Sequence, residues 1–280
     1  MKYAIIISSK DPAGLTIKNQ LIKDQGFVST EQTFEGEVIF LHKETGTFLY
    51  TISSETIHAE HLDKHIEAEA FIFATKHQSA KGVSCFCVHA PGNFSTADAG
   101  GTLGKLCKTM SPEMKRAYQL LCIDTPQNLP VMQEATHHGP DLDIPAMFVE
   151  IGSDDFAWKN TEFGAHIAKV IVKLLHEKIN NTIPACKEHV VIGGLHYNYV
   201  ADKLNKSKDY CVGHICPKYH MLHLDERSID ELILTSVSGK KVIFIFDWKG
   251  ANNAETRSRI ISILEEKNVA WVRSDQYFKE

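Results

Sequence analysis

The sequence has no apolar run long enough to span a lipid bilayer. Its opening apolar stretch, residues 1–7, is followed at once by polar residues 8–11 and is too short for a secretory signal peptide. The seven cysteines are odd in number and lack the paired spacing that is typical of a disulfide framework. We therefore expect a cytoplasmic protein that does not associate with membranes, with cysteines that are reduced and mostly buried.

The closest cysteine spacings do not form a metal knuckle. Cys85 and Cys87 alternate along an apparent strand. Cys211 and Cys216 bracket His214, which makes a thiolate and imidazole site conceivable, but simple burial is the stronger expectation for these thiols.

Several function classes lack their motifs in this chain. The sequence has no Gly-x-Ser-x-Gly motif, which argues against a serine hydrolase that uses such an elbow. It also has no P-loop, so nucleotide hydrolysis by that route is excluded. The net charge of −5 argues against indiscriminate coating of nucleic acid, although a local basic patch is compatible with it.

The apolar pattern predicts an α/β fold with a mixed, largely parallel sheet flanked by helices. The chain has 280 residues, of which 43% are hydrophobic, and it contains no internal repeat or obvious linker. We therefore predict one α/β catalytic domain with insertions over residues 1–280. The predicted strands are 3–8, 34–41, 47–52, 70–74, 83–89, 145–151, 188–192, 210–215, 241–246 and 269–272, and the main predicted helices are 15–26, 112–121, 156–178 and 251–267.

Histidine is the main compositional excess, with 15 residues in the chain. The stretch Glu134–Pro140 brings a glutamate close to the adjacent histidines His137 and His138, before a Gly-Pro turn that ends regular structure. Histidines and glutamates also end or follow other predicted strands. Because ligand crevices lie beyond the carboxyl ends of parallel strands, we expect these side chains to share one crevice. The set is His77, His89, Glu134, His137, His138, Glu150, His196, His214 and His220.

This set of imidazoles and carboxylates suits a zinc ion. Glu150 supports a common site, because a carboxylate inside an apolar strand needs a histidine, a metal ion or a lysine as partner, although a structural ion pair is equally compatible. Glu134 and Glu150 are each candidates for general base or ligand. The expected metal ligands are His89, His137, His138, His196 and His214, and the expected catalytic residues are His77, Glu134, His137, His138 and Glu150.

A basic segment follows the small, glycine-rich stretch 97–102. Such a cluster is either a solvated face or a contact for phosphate groups. Its members are Lys105, Lys108, Lys115 and Arg116.

The order of several motifs resembles the archaeal and plant type of D-aminoacyl-tRNA deacylase. Together they span residues from the seventies to about 220, and the resemblance rests on the whole set. The motifs are His77-x-Ser79, Val88-His89-x-Pro91-Gly92-Asn93, Glu134–Pro140, Phe148–Ser153 with Trp158 following, Gly193-Gly194-x-His196-Tyr197 and Gly213-His214-Ile215.

The resemblance implies an enzyme that hydrolyses the ester between a D-amino acid and tRNA, with zinc as cofactor and a phosphorylase/hydrolase-like fold similar to that of peptidyl-tRNA hydrolases. It also favours phosphate contacts for the basic segment. The chain departs from the family pattern at Asn198-Tyr199, where Ala-Pro is expected, and at Asp141, where a small residue or Thr is expected.

Two other readings of the residues stay open. One is a zinc-dependent amidase or peptidase that acts on small substrates, and the other is a non-catalytic module that binds tRNA or nucleotides and has structural histidines. The basic segment discriminates between the enzymes, because a small substrate carries no phosphate backbone for it to contact. The sequence does not fix the oligomeric state, and a monomer is compatible with it.

Overall fold

Two sheets form the framework of the chain in a computed structural model that describes residues 2–79, 82–251 and 253–278. In chain order, the strands and α-helices are β1 (Tyr3–Ser8), α1 (Pro12–Asp24), β2 (Phe27–Phe34), β3 (Glu37–His42), β4 (Thr47–Ile52), β5 (Ala70–Gln78), β6 (Cys85–His89), α2 (Ser111–Leu121), β7 (Val131–Gln133), β8 (Ala146–Ser153), α3 (Asp155–Trp158), α4 (Thr161–Ile179), β9 (Lys187–Ile192), α5 (Tyr199–Lys206), β10 (Tyr210–Cys216), α6 (Glu226–Thr235), β11 (Ile243–Phe246), α7 (Ala254–Glu266), β12 (Trp271–Arg273) and α8 (Ser274–Tyr277).

The larger sheet has eight strands in the order β2-β3-β4-β1-β5-β8-β6-β7. Its centre, from β4 to β8, is parallel, whereas β2 and β3 form an antiparallel edge and β6 runs antiparallel to β8. The smaller sheet, β10-β9-β11-β12, is entirely parallel. These sheets and their flanking helices confirm the predicted α/β class with largely parallel pairing. The prediction of one domain over residues 1–280 stays a prediction.

The two faces of the larger sheet carry different cores. Side chains alternate between the faces of a strand, so Ile72 and Ala74 of β5 pack with α1, α2 and α4 in the main core. Phe71 and Phe73 of the same strand pack on the opposite face with Phe148 of β8. No layer of long helices belongs to this second core among the described residues, which leaves space there for polar side chains.

Local signals explain where the main helices begin. The Asp11 carboxylate accepts hydrogen bonds from the Ala13 and Gly14 amides, and Pro12 occupies the first turn of α1. Asn160 caps α4 in the same way. This cap divides the predicted helix 156–178 into the short α3 and the long α4.

The strands differ from the sequence-based prediction in number and length. β2 and β7 were not predicted as strands of their own. β5 continues to Gln78 and does not end at Ala74, so His77 lies in a strand and does not follow one. β5 and β6 are consecutive in this part of the chain, but β8 lies between them and hydrogen-bonds to both.

The cysteines differ in part from expectation. Cys186 and Cys211 form a disulfide, so the expectation that the cysteines are all reduced was wrong for this pair. Cys85, Cys87, Cys107 and Cys216 are free and buried, as expected, and Cys122 is free and exposed. No α-helix in the described part of the chain has the length and apolarity needed to cross a membrane.

Candidate active site

The candidate active site lies on the face of the larger sheet that continues from Phe71 and Phe73. Strand register places Thr75 of β5 beside Glu150 of β8, and Glu150 beside Cys87 of β6. His77 is likewise aligned with Gly152 and, across it, with Cys85. β6 runs antiparallel to β5 and β8. The site therefore combines residues from strands of both directions and does not lie only at the carboxyl ends of parallel strands.

Gly152 gives the His77 ring its space. A β-carbon at this position would lie 2.7 Å from the His77 Cδ2 atom and 2.8 Å from the Cys85 sulfur. Both distances are shorter than real contacts allow, so any larger residue would displace the imidazole.

Glu150 is buried among polar partners. Thr75 donates a hydrogen bond of 2.7 Å to its Oε1 atom. Its Oε2 atom lies 3.6 Å from His77 Nδ1 and 3.7 Å from His89 Nε2. Burial opposes ionisation, but the contacts with His77 and His89 outweigh it and hold the pKa of Glu150 well below its usual range.

Glu134 is the second buried carboxylate. Its Oε1 atom lies 3.1 Å from His77 Nδ1 and 3.2 Å from His196 Nε2. Burial raises the pKa of Glu134, but the two histidine contacts outweigh it and the net shift is downward. Among the described residues, neither Glu134 oxygen has a partner that meets hydrogen-bond geometry.

His77 is the cation between these carboxylates. Burial disfavours its charged form, but the contacts with Glu134 and Glu150 dominate and raise its pKa to about 12. These contacts favour the imidazolium form of His77. Its Nε2 atom donates a hydrogen bond of 2.7 Å to the Tyr197 hydroxyl oxygen.

Three further histidines have rings that are oriented in the same way, each with its Nδ1 atom against a backbone carbonyl oxygen. The Nδ1 atoms of His89, His137 and His138 lie 3.2, 2.8 and 2.6 Å from the backbone carbonyl oxygens of residues 90, 135 and 139. In a neutral ring, donation from Nδ1 leaves the lone pair on Nε2. At His89, burial opposes the charged form, but the contact with Glu150 outweighs it and raises the pKa of the ring. Their ring centroids lie 4.3 to 4.8 Å apart, and their ligand nitrogens lie within 4.8 Å of one another.

Burial keeps two of these three imidazoles neutral. It lowers the pKa of His137 well below its usual range, and it lowers the pKa of His138 to about 4, with repulsion from the neighbouring histidines adding to both shifts. His138 also has a φ of 47°, a left-handed conformation that is uncommon for a residue other than glycine. Such backbone strain is frequently found at functional sites.

A cavity of about 330 Å³ opens onto the cluster. His77, His137, His138 and Glu150 form its inner wall. Its outer wall is polar and carries charges of both signs. The outer residues include Ser8, Lys10, Asp11, Glu55, Thr56 and Lys76.

The structure does not bring every predicted residue into this cluster. His196 contacts Glu134 and lies 4.7 Å from the His137 ring, between centroids. The prediction of His214 as a metal ligand was wrong, because its Nδ1 and Nε2 atoms are hydrogen-bonded to the hydroxyls of Thr136 and Thr235. His220 is also separate and contacts Ser95.

Replacing His214 with Ala is expected to lower stability and leave the reaction intact. The change removes two buried hydrogen bonds and leaves a cavity, so the free energy of unfolding should fall by about 2 to 4 kcal/mol. Denaturant unfolding measures this change, and metal content and kcat should match those of the wild type. If the variant is stable but has lost its metal, His214 is a metal ligand after all.

The basic segment does not form one exposed patch. Lys115 is buried, and its ammonium group donates a hydrogen bond of 2.6 Å to the Lys208 carbonyl oxygen. Arg116 forms a two-point ion pair with Glu177 of α4. The prediction that these two residues hold tRNA was therefore wrong, because they already have structural partners. Lys105 and Lys108 are exposed and precede α2.

Sequence reasoning did not single out three residues that shape the site. Thr75 contacts the catalytic candidate Glu150, and Asp11 and Glu55 line the cavity. No periodicity distinguishes these residues, because their positions depend on how separate strands and loops pack. The sulfurs of Cys85 and Cys87 lie 3.6 Å apart beside His77 and offer a further donor group next to the cluster.

Comparisons with known proteins show the family to which this chain belongs. The family model described as D-aminoacyl-tRNA deacylase matches residues 64–272. The D-aminoacyl-tRNA deacylase of Thermococcus onnurineus is 31% identical, over 96% of this chain and 98% of that protein. That of Thermococcus kodakarensis is 32% identical, over 96% and 99%. The crystal structure of a conserved protein of unknown function superimposes with a TM-score of 0.86 at 27% identity, over 99% of this chain and 96% of the other.

Proposed function

Since the chain belongs to the D-aminoacyl-tRNA deacylase family and hydrolyses D-aminoacyl-tRNA, we propose that the cluster of His77, Glu134, Glu150 and the three histidines His89, His137 and His138 is its catalytic centre. The observation that carries this proposal is the common orientation of the three histidines, whose Nδ1 atoms each lie against a backbone carbonyl oxygen and whose rings each bring a ligand nitrogen within 4.8 Å of the others. We also propose that the enzyme acts in the cytoplasm, where its substrate is used in translation.

The donor set fits a zinc ion. His89 Nε2 is buried and has no hydrogen-bond partner in the described structure. His137 and His138 are neutral and keep their Nε2 lone pairs available. Glu134 and His196, with His137, offer a second arrangement of three donors at the same place. We propose His89, His137 and His138 as the zinc ligands, with His196 and Glu134 next to them. A bound zinc ion would supply Lewis-acid stabilisation of the oxyanion that develops at the ester carbonyl.

Glu150, Thr75 and His77 control proton transfer and charge at the site. Glu150 borders the cavity, so it is placed to accept a proton from the attacking water. Thr75 holds one of its oxygens in a fixed position. The His77 imidazolium lies between Glu150 and Glu134 and keeps both carboxylates ionised despite their like charge.

The cavity beside the cluster suits the amino-acid part of the substrate. Its volume of about 330 Å³ is that of a small-ligand site. Glu55, which is exposed and lines this cavity, offers a carboxylate to the α-ammonium group. D- and L-amino acids carry identical groups. When the cavity holds both the ammonium group and the ester in place, the side chains of the two enantiomers point in different directions, and the cavity has room for only one of them.

Hydrolysis of D- and L-aminoacyl-tRNA that carry the same amino acid tests this proposal. The wild-type protein should hydrolyse the D-form and spare the L-form. Chelation should lower the rate at least about 100-fold, and zinc should restore it. Equal hydrolysis of both forms would contradict the selective pocket, and full activity after exhaustive chelation would contradict the zinc centre.

A zinc amidase for small substrates is not favoured. The family match covers most of the chain, and the relatives named above match over nearly their full lengths.

A further inference from the structure

A second cavity, of about 590 Å³, lies at the smaller sheet. Residues that follow each of its four parallel strands line this cavity. Gly194 follows β9, Lys218 follows β10, Lys249 follows β11 and Asp275 follows β12. The carboxyl ends of parallel strands are where α/β sheets bind ligands.

The cavity also lies where the order of the strands reverses. The chain passes from β9 to its neighbour β10 on one side and from β11 to β12 on the other, so the loops after β9 and β11 diverge. A hydrogen bond of 2.9 Å from the Gly194 amide to the Gly250 carbonyl joins the two loops at the floor of this crevice. Gly194 has a φ of 82°, which a larger residue would adopt only with strain.

The charge of this cavity favours an anion. Lys203, Lys218 and Lys249 line it together with two aspartates. Both aspartates have partners of their own: Asp247 accepts a hydrogen bond from the Gly250 amide. Asp275 forms an ion pair of 2.7 Å with Arg273. The catalytic cavity instead has the carboxylates Asp11, Glu55 and Glu150 against Lys10, Lys76 and His77, so its lining has no excess of positive charge.

Exposed aromatic and apolar side chains lie beside these lysines. Tyr199 is 68% exposed and Leu195 is 62% exposed. The Lys203 ammonium lies 4.9 Å from the ring centroids of both Tyr199 and Phe278. Aromatic rings next to cations are the combination by which proteins hold single-stranded nucleic acid, through base stacking and phosphate contact.

Tyr197 connects this cavity to the catalytic centre. It lines the cavity, and its hydroxyl accepts the hydrogen bond from His77. We infer that the second cavity holds the single-stranded 3′ end of the tRNA, namely the nucleotides that precede the terminal aminoacyl-adenosine. This inference rests on the proposed function. The bases stack on Tyr199, and the lysines contact the phosphates.

Steady-state hydrolysis of two substrates tests the inference. One is D-aminoacyl-tRNA, and the other is the D-aminoacyl ester of adenosine, which lacks the preceding nucleotides. Tyr199→Ala should raise KM for the tRNA substrate by about 5- to 100-fold and leave kcat and the adenosine ester unaffected. Tyr199→Phe should behave like the wild type, because the stacking ring is retained.

The lysines are tested as a pair. Lys203→Ala with Lys249→Ala should raise KM for the tRNA substrate and lower the magnitude of its log–log salt slope by about 1.4, which is roughly 0.7 for each phosphate contact to a single strand. Lys105→Ala with Lys108→Ala removes the two exposed lysines of the basic segment. This pair should change neither KM for the tRNA substrate nor its salt slope.

The outcomes separate the inference from the function on which it rests. No hydrolysis of D-aminoacyl-tRNA by the wild-type protein would contradict the proposed function itself. Normal hydrolysis with unchanged KM in the cavity variants would overturn the inference alone. So would an equal loss on both substrates, because the cavity residues would then act through the catalytic centre. A large rise in KM for the tRNA substrate in the Lys105→Ala, Lys108→Ala variant would instead indicate that the tRNA binds to the surface that carries these two lysines.

Discussion

Glu150→Gln is expected to lower kcat for D-aminoacyl-tRNA by about 10² to 10⁴-fold, the usual contribution of a general base. The amide keeps the shape of the side chain and can still accept the Thr75 hydrogen bond, but it cannot take a proton from water. KM should change little, since Glu150 does not contact the tRNA chain in the proposed arrangement.

Glu188→Gln is the matched control for this variant. Glu188 is also a buried carboxylate on a strand, and it accepts hydrogen bonds from Thr109, Ser111 and the Ser238 amide, away from the cluster. Its neutralisation should lower stability and leave kcat near the wild-type value. A Glu150→Gln enzyme that retains kcat to within tenfold would remove Glu150 from the role of base.

His138→Asn is expected to abolish high-affinity zinc binding and lower kcat at least about 100-fold. Asn is preferred to Ala here because it tolerates the left-handed backbone of residue 138, so loss of the ligand is separated from backbone strain. Metal content per chain and kcat should fall together, and KM for tRNA should change only modestly.

His166→Asn is the control for His138→Asn. The His166 ring is also partly buried and donates from Nε2 to a backbone carbonyl, that of Leu121, at 3.0 Å. Zinc content and kcat of this variant should match those of the wild type. Loss of metal in both variants would indicate a general effect of removing histidines, and normal metal content in His138→Asn would contradict its role as a ligand.

The class of the fold followed from local signals in the sequence. Continuous apolar runs such as Tyr3–Ser8 form buried parallel strands, and the predicted helix 15–26 is present, although its cap Asp11 makes it begin at Pro12. Strand order was not accessible in this way. β8 lies between β5 and β6 although it comes later in the chain, and only packing selects that arrangement.

The candidate site was predictable by residue type and less so by position. Glu150 met histidines, as expected for a carboxylate in an apolar strand. His214 fitted the same strand-end pattern as His89, yet two threonine hydroxyls from other elements occupy its ring nitrogens. Lys115 and Arg116 follow the glycine-rich stretch like phosphate contacts, but the helix turns them towards Lys208 and Glu177. Such differences depend on long-range neighbours, which local patterns do not encode.

The position of the zinc ion tests the central claim most directly. Anomalous diffraction at the zinc edge, from crystals of active protein, should give one strong peak within bonding distance of the Nε2 atoms of His89, His137 and His138. His42, Glu44 and His176 form another group of three potential ligands elsewhere on the chain. A peak only at that second group, or none at all in protein that still hydrolyses D-aminoacyl-tRNA, would contradict the proposed catalytic centre.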